Sequence, residues 1–82
     1  MMCPETPRTT EGFEMQIGTN HLGHFLLTEL LLPKLRKSAA SGFNARIVIV
    51  SSLAHERGVI RYDDLNWKNE SYSSVAAYQQ SK

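Results

Sequence analysis

The chain has 82 residues, enough for one small domain at most, and its 41% hydrophobic and 21% charged residues are typical of globular rather than disordered proteins. A net charge of +1, with no cluster of basic residues, argues against binding to nucleic acid. The single cysteine, Cys3, excludes an internal disulfide and a thiolate-rich metal site, and it is typical of an intracellular protein.

The N-terminal stretch is predicted to be a loop, because Pro4 and Pro7 disfavour regular structure there. It has neither the basic region nor the apolar region of a signal peptide. The longest apolar run, residues 25–32, is interrupted by Thr28 and Glu29 and is too short to span a bilayer. The sequence therefore predicts no membrane segment within these residues.

A long helix is predicted from residue 11 to about residue 37, with Thr9 or Thr10 as its N-cap. Pro33 is expected to kink this helix without ending it. Residues at spacings of three and four mark one face, and further apolar residues extend it nearly all round: Phe13, Ile17, His21, His24, Leu27, Leu31 and Leu35, then Phe25, Leu26, Leu30 and Leu32. A helix this apolar is expected to pack between neighbours on several sides.

Residues 46–51, Arg-Ile-Val-Ile-Val-Ser, form the one clear predicted strand. Its continuous β-branched run is typical of a strand buried on both faces of a parallel sheet, although no second run of that quality is present. Residues 53–75 are predicted to form a long polar loop with a short helical turn near residues 63–65. A final helix is predicted to begin between residues 74 and 77. This pattern favours the α/β class.

Tyr78 and Lys82 lie four residues apart, which places a phenol and an ammonium group on one face of the last helix. A nearby cation favours a phenolate, and a tyrosine in that setting serves as a general acid/base. A solvated helix face gives the same spacing, so the pair is a weak signal alone. Ser51 and Ser52 end the predicted strand, where sites form in open parallel sheets. Asn20 lies in an apolar part of the first helix, where a local bond to backbone is the common explanation.

Three segments in this order resemble the central part of a short-chain dehydrogenase/reductase: residues 20–25 (Asn-His-Leu-Gly-His-Phe), residues 51–55 (Ser-Ser-Leu-Ala-His) and residues 78–82 (Tyr-x-x-Ser-Lys). The run 63–67, Asp-Asp-Leu-Asn-Trp, resembles the retinol dehydrogenase branch of that family. The resemblance covers nearly the whole chain. It implies a partial Rossmann-like fold with a doubly wound parallel sheet, of which residues 1–82 form a central fragment ordered as helix, strand, loop and helix.

The resemblance implies a role for each of four residues. Asn20 is the structural and catalytic helper that supports a proton-relay water, and Ser52 orients the substrate carbonyl or hydroxyl. Tyr78 transfers the proton. Lys82 binds the nicotinamide ribose and assists Tyr78, so both residues contact an NAD or NADP cofactor. The implied reaction is hydride transfer between NAD(P) and a small-molecule alcohol or carbonyl, with a retinol- or retinaldehyde-like lipophilic substrate.

The family's Gly-rich turn, which holds the cofactor pyrophosphate at a helix N-terminus, is not among the 82 residues. We therefore expect a fragment of a dinucleotide-binding domain that lacks the N-terminal cofactor half and the C-terminal part, and that is inactive alone. The alternative is a non-catalytic truncated product or interaction segment that self-associates through its strand edge and apolar helix. Because many retinol dehydrogenases carry an N-terminal anchor, the resemblance also implies an intracellular enzyme associated with the endoplasmic reticulum or mitochondrial membrane.

Other polar groupings carry weaker functional signals. His21 and His24, at i and i+3, have no third ligand of clear geometry, so core positions are expected rather than a metal site. Ser52, His55 and Asp63 are the residue types of a hydrolase triad, but no nucleophile-elbow glycines surround the serine. Three aromatic residues are predicted either to line a substrate lid or to be buried under the loop: Tyr62, Trp67 and Tyr72.

Overall fold

The computed structural model describes residues 8–82, so the loop predicted for residues 1–7, and Cys3 within it, lie outside the described range. The elements, in chain order, are α1 (Met15–Ile17), a π-helical turn (Gly18–Leu22), α2 (Gly23–Ala40), a 3₁₀ helix (Leu53–Arg57) and α3 (Ser74–Ser81). The described part contains no β-strand, and its β-type pairing is an isolated antiparallel bridge between Arg8 and Glu14.

The first three elements form one helical stretch from Met15 to Ala40, close to the predicted helix over 11–37. The helix continues through Pro33, which confirms that this proline does not end it. The π-helical turn was not predicted. In it, the amide of Gly23 donates to the carbonyl of Gly18, an i to i+5 bond that inserts one extra residue into the turn.

The N-cap of this helical stretch is Glu14, so the prediction of Thr9 or Thr10 was wrong. The Glu14 carboxylate accepts hydrogen bonds from the amides of Gln16, at 2.9 Å, and Ile17, at 2.8 Å. Amides in the first helical turn have no partner within the helix, so a side-chain acceptor placed there stabilises the helix start. The Thr9 hydroxyl instead accepts a hydrogen bond from the amide of Phe13, which directly precedes Glu14.

The apolar surface of α2 is not packed between neighbours within residues 8–82, contrary to the sequence-based expectation. Five of its large side chains are 42% to 69% exposed: Phe25, Leu26, Leu27, Leu30 and Leu31. The radius of gyration is 15.4 Å, whereas a compact domain of this length has one of about 12 Å. No helix in the described range is both long enough and apolar enough to cross a bilayer.

The strand predicted over residues 46–51 does not form in the described structure, where residues 43–52 have no regular secondary structure. Val48 and Ile49 are 84% and 81% exposed. The physical reason is that a strand exists only as part of a ladder, and residues 8–82 offer this run no partner strand. Within residues 8–82 the observed fold is helical, and the α/β class remains a prediction.

The second half of the chain folds against α3. Ser52 caps the 3₁₀ helix by accepting from the Ala54 amide at 3.2 Å, and Ser73 caps α3 by accepting from the Ala76 amide at 3.3 Å. A Cβ atom on Gly58 would lie 2.8 Å from the Gln79 carbonyl oxygen, so only glycine permits this close approach. The final helix was predicted correctly. The 3₁₀ helix at Leu53–Arg57 was not predicted. Two tight turns are present in place of the helical turn expected near residues 63–65.

The core lies where α1, the loop before α3 and α3 itself meet. It is small, and it buries more polar than apolar side chains: Ile17, Trp67 and Ala77, with Glu14, Gln16, Gln80 and Ser81. Most of these buried polar side chains are hydrogen-bonded, although within residues 8–82 the Gln16 Oε1 and Trp67 Nε1 atoms are buried without a hydrogen-bond partner. The arrangement of these bonds therefore decides how the helices are held together.

Candidate functional site

Asn20 connects the π-helical turn to α3. Its Nδ2 atom donates to the Ser81 hydroxyl oxygen at 2.9 Å, and that hydroxyl donates to the Tyr78 carbonyl at 2.8 Å. The local bond to backbone that commonly explains an asparagine in a helix is therefore replaced by a contact between two helices. This contact places Asn20 against the helix that carries Tyr78 and Lys82.

Tyr78 and Lys82 share one face of α3, as their spacing predicted. The Lys82 Nζ atom lies 5.8 Å from the centroid of the Tyr78 ring. Within residues 8–82 the ammonium group forms no ion pair or hydrogen bond that would occupy its three N–H donors. A cation beside a phenol, with donors free for hydroxyl groups, suits the ribose of NAD(P). These two residues would hold that part of the cofactor.

Of the adjacent serines Ser51 and Ser52, the first contacts the end of α3. The Ser51 hydroxyl donates to the Lys82 carbonyl at 3.1 Å. The Ser52 hydroxyl accepts from the Ala54 amide, and the His55 Nδ1 atom lies 2.5 Å from the Ser52 carbonyl oxygen rather than from its hydroxyl. The histidine contact therefore does not build the nucleophile and base of a hydrolase.

The four predicted catalytic residues are thus carried by elements that pack together, although their side chains do not all touch. Asn20 reaches Ser81, Lys82 reaches the Tyr78 ring, and the backbone of Lys82 meets the serine next to Ser52. In the described structure, the Ser52 hydroxyl is engaged as a helix cap and not with the phenol. Their functional assignment remains a prediction that this geometry accommodates.

A hydrogen-bond network built on two buried side chains, Glu14 and Gln16, lies beside this site, and little in the sequence predicts it. We call Glu14, Gln16, Asn66 and Tyr72 the Glu14 network. The Glu14 carboxylate accepts from the Tyr72 hydroxyl at 2.9 Å, and the Glu14 amide donates to Asn66 Oδ1 at 2.8 Å. The Gln16 amide nitrogen Nε2 donates to the Ser74 carbonyl at 2.7 Å. An acid at a helix start was the one available signal, and it does not reveal partners more than fifty residues away.

The loop before α3 is held by a second cluster. Arg61 lies over the Trp67 ring at 4.3 Å from its centroid and pairs with Glu70, while its backbone amide donates to Gln80 Oε1 at 2.9 Å. Trp67 meets Tyr72 edge to face, with ring centroids 5.8 Å apart. Burial is therefore confirmed for Trp67, whereas Tyr62 is 81% exposed.

Asp64 forms the turn that places Trp67. Its carboxylate accepts from the amides of Lys68, at 2.7 Å, and Asn69, at 3.0 Å. These backbone hydrogen bonds, with a smaller contribution from the charge of Arg61, hold the pKa of Asp64 below its ordinary value. Trp67 itself has a φ of 52°, a conformation that is uncommon for a bulky residue and that the surrounding contacts must maintain.

The two histidines are not core residues. Both His21 and His24 are exposed, so the expectation that they are buried was wrong. Their helical stretch has no covering layer within the described residues, and solvent therefore reaches these positions. Among residues 8–82, no group of three or more His, Cys, Asp or Glu side chains is placed to bind a metal ion.

A cleft of about 520 Å³ lies at the end of α3. Its lining is mainly apolar and includes Ile17, Leu22, Ile60 and Leu65, and it reaches Lys82. Neither Tyr78 nor Ser52 lines it. A reacting carbonyl must approach the proton donor, so the volume of this cleft is no guide to the substrate position.

Comparison with curated proteins relates this geometry to known enzymes. The chain is 58% identical over all 82 residues to retinol dehydrogenase 13 of Homo sapiens, 55% to retinol dehydrogenase 11 of Homo sapiens and 54% to polyprenol dehydrogenase of Danio rerio. The chain is homologous to the retinol dehydrogenases along its whole length. This confirms the resemblance to the retinol dehydrogenase branch of the short-chain dehydrogenases/reductases.

The chain spans about a quarter of the length of these relatives: 23%, 24% and 25%, respectively. A crystal structure of an uncharacterized protein from Mycobacterium Paratuberculosis is also similar, with a TM-score of 0.80 and 49% identity over the whole of this chain and 27% of that one. No protein-family profile matches the chain. The retinol dehydrogenase relationship therefore rests on the whole-length similarity to these individual proteins.

The Asp64 turn predicts an acid-dependent change in the loop. Because the pKa of Asp64 is lowered on folding, the stability that its carboxylate contributes is fully present above about pH 4 and is lost as the pH falls through the lowered value. Trp67 is the single tryptophan and sits in this loop, so its fluorescence reports the change. We expect a fluorescence step below about pH 4 in the wild type that is absent in Asp64→Asn.

Asp63→Asn is the matched control, because the Lys68 and Asn69 amides bond to Asp64 and not to its neighbour. This variant should keep the wild-type acid step. An unchanged step in Asp64→Asn would contradict the assignment of the turn to this carboxylate.

Proposed function

We propose that a complete protein containing this chain is an NAD(P)-dependent oxidoreductase that interconverts a lipophilic alcohol, such as a retinoid or polyprenol, and its carbonyl. The observation that carries the proposal is the Lys82 ammonium 5.8 Å from the Tyr78 ring centroid, on a helix that Asn20 contacts through Ser81. Whole-length homology to retinol and polyprenol dehydrogenases supports the substrate class.

Each residue has a chemical task in this proposal. Tyr78 gives a proton to the carbonyl oxygen during reduction and takes it back during alcohol oxidation. Lys82 places a positive charge beside the Tyr78 ring and donates hydrogen bonds to the ribose. Ser52 orients the substrate oxygen, and Asn20 supports the water that relays the proton. When bound, NAD(P) supplies the hydride acceptor or donor at its nicotinamide ring.

The proposal includes a parallel sheet in the complete protein. The continuous β-branched run at residues 46–51 fits the interior of such a sheet, and its side chains are exposed in the described structure. Pairing on both sides would bury this run and straighten it. Ser52 would then follow the carboxyl end of a strand, the position at which sites form in open α/β sheets.

The first test is Tyr78→Phe in a complete dehydrogenase containing this chain, assayed for retinol oxidation and retinaldehyde reduction. Loss of the phenol oxygen removes the proton donor, so we expect kcat to fall by roughly 10²- to 10⁴-fold. Lys37→Gln, at an exposed position in the last turn of α2 outside the site, is the control and should leave kcat unaltered. Equal activity of the two variants would refute the role of Tyr78.

We further propose that the 82-residue chain alone neither binds the cofactor nor turns over substrate. The supporting observation is that residues 46–51, which a cofactor-binding sheet requires, are unpaired within residues 8–82. A titration of NADH or NADPH fluorescence with the isolated chain should show no binding tighter than about 1 mM. Saturable binding, or steady reduction of retinaldehyde, would show that this proposal is wrong.

A second candidate function is that of an interaction segment, and the exposed run at residues 47–50 favours it. These residues are 49% to 84% exposed and combine high β-propensity with no charge, which is typical of segments that pair with another chain. In this candidate function, the isolated chain associates with itself through backbone pairing along this run.

Light scattering on the isolated chain tests this association. The wild type should show a mass above the 9.3 kDa of one chain, and Val48→Lys should shift it towards that value, because a charge on the exposed run opposes pairing. Tyr62→Lys is the matched control, since Tyr62 is 81% exposed and Val48 is 84% exposed. A monomeric wild type, or equal masses for the two variants, would exclude pairing through residues 47–50.

A further inference from the structure

The Glu14 network joins the starts of the two helical stretches that carry the proposed catalytic residues. Glu14 is the N-cap of the stretch containing Asn20, and its carboxylate accepts from the Tyr72 hydroxyl at 2.9 Å. Tyr72 lies two residues before Ser74, the first residue of α3. A single side-chain bond therefore links the cap of one helix to the chain segment that enters the other.

Gln16 supplies a second link at the same level. Its Nε2 atom donates to the Ser74 carbonyl at 2.7 Å and to the Tyr72 hydroxyl at 3.3 Å. Glu14 and Gln16 are 1% and 3% exposed and Tyr72 is 39% exposed, so water competes less for these bonds than for bonds at a fully exposed surface. Bonds in such surroundings have defined directions and lengths, and they restrict sliding or rotation of one helix start against the other.

The Asn20–Ser81 bond, at 2.9 Å, is the corresponding link further along the two helices. Along α3, Tyr78 lies between the Glu14–Tyr72 contact and the Asn20–Ser81 contact, one helical turn after Ser74 and one before Lys82. A displacement of the two helix starts at Glu14 must therefore change the distance or angle of the hydrogen bond between Asn20 and Ser81 of α3. The π-helical turn increases this sensitivity, because its extra residue leaves the direction of Asn20 dependent on the geometry of the preceding turn.

We propose that Tyr72 and Glu14 are positioning residues for the reaction: their hydrogen bond sets the placement of Asn20 relative to Tyr78 and Lys82. This inference rests on the proposed dehydrogenase function. Neither residue touches the reacting groups in the described structure, so both act through the two helices and not on the substrate.

Tyr72→Phe is the sharpest variant, because phenylalanine keeps the edge-to-face contact with Trp67 and removes only the hydroxyl that Glu14 accepts. In the complete dehydrogenase we expect kcat to fall about tenfold with KM changed by less than about twofold, well within the roughly 100-fold that a 1 Å misplacement costs. Lys37→Gln, exposed in the last turn of α2, again serves as the control, with both constants unchanged.

A double-mutant cycle separates positioning from general destabilisation. Asn20→Ala removes the group through which Tyr72 acts, so adding Tyr72→Phe to it should lower kcat by less than about twofold further. A purely structural defect would act independently of Asn20, so Tyr72→Phe would lower kcat by the full tenfold in both the wild-type and the Asn20→Ala background. Multiplicative losses would overturn the proposal, as would an unchanged kcat for Tyr72→Phe in the wild-type background.

A spectroscopic measurement decides the same point without turnover. With selective ¹⁵N-asparagine labelling, the Asn20 side-chain amide signals should shift in Tyr72→Phe and stay in place in Lys37→Gln, because only the first variant disturbs the Asn20–Ser81 bond. Unchanged Asn20 signals in Tyr72→Phe would overturn the inference. An inactive wild type with shifted signals would instead count against the dehydrogenase function and leave the positioning contact established.

Discussion

The carboxylate of Glu14 accepts hydrogen bonds from two helix amides and from the Tyr72 hydroxyl, at 2.8 to 2.9 Å, in a position that is 1% exposed. Burying such a group without partners costs several kcal/mol, whereas hydrogen bonds to charged groups contribute roughly 1.5–3 kcal/mol each. The helix start, the entry into α3 and the loop before it must therefore keep positions that preserve these bonds. Their geometry limits how Asn20 can face Tyr78 and Lys82.

Hydrogen bonds have this influence because little apolar surface is available to hold the helices together. Within residues 8–82 the buried apolar side chains are Ile17, Trp67 and Ala77. Apolar burial is non-directional, whereas a network of directional hydrogen bonds permits few relative positions. The described structure thus combines a polar, geometrically defined contact between helix starts with a long apolar surface on α2 that is exposed.

The residues with local signals were predictable from the sequence, and those with distant partners were not. Spacings of three and four placed the first helix, and the four-residue spacing placed Tyr78 and Lys82 on one face of the last. The Glu14–Tyr72 bond joins residues 58 positions apart, which no periodicity reveals. The strand predicted over residues 46–51 is absent from the described structure because a strand depends on its neighbours and not on propensity alone. The prediction that His21 and His24 are buried was wrong because burial depends on what covers a helix.

A crystal structure of the complete dehydrogenase with bound NAD(P) would show whether the Glu14–Tyr72 bond positions the catalytic residues. We expect that the Glu14 carboxylate remains buried against the Tyr72 hydroxyl, that Asn20 still donates to Ser81, and that Lys82 and Tyr78 contact the nicotinamide ribose. An exposed Glu14 with separated helix starts, while Asn20, Tyr78 and Lys82 nevertheless surround the cofactor, would contradict it. The catalytic residues would then be positioned by other parts of the protein.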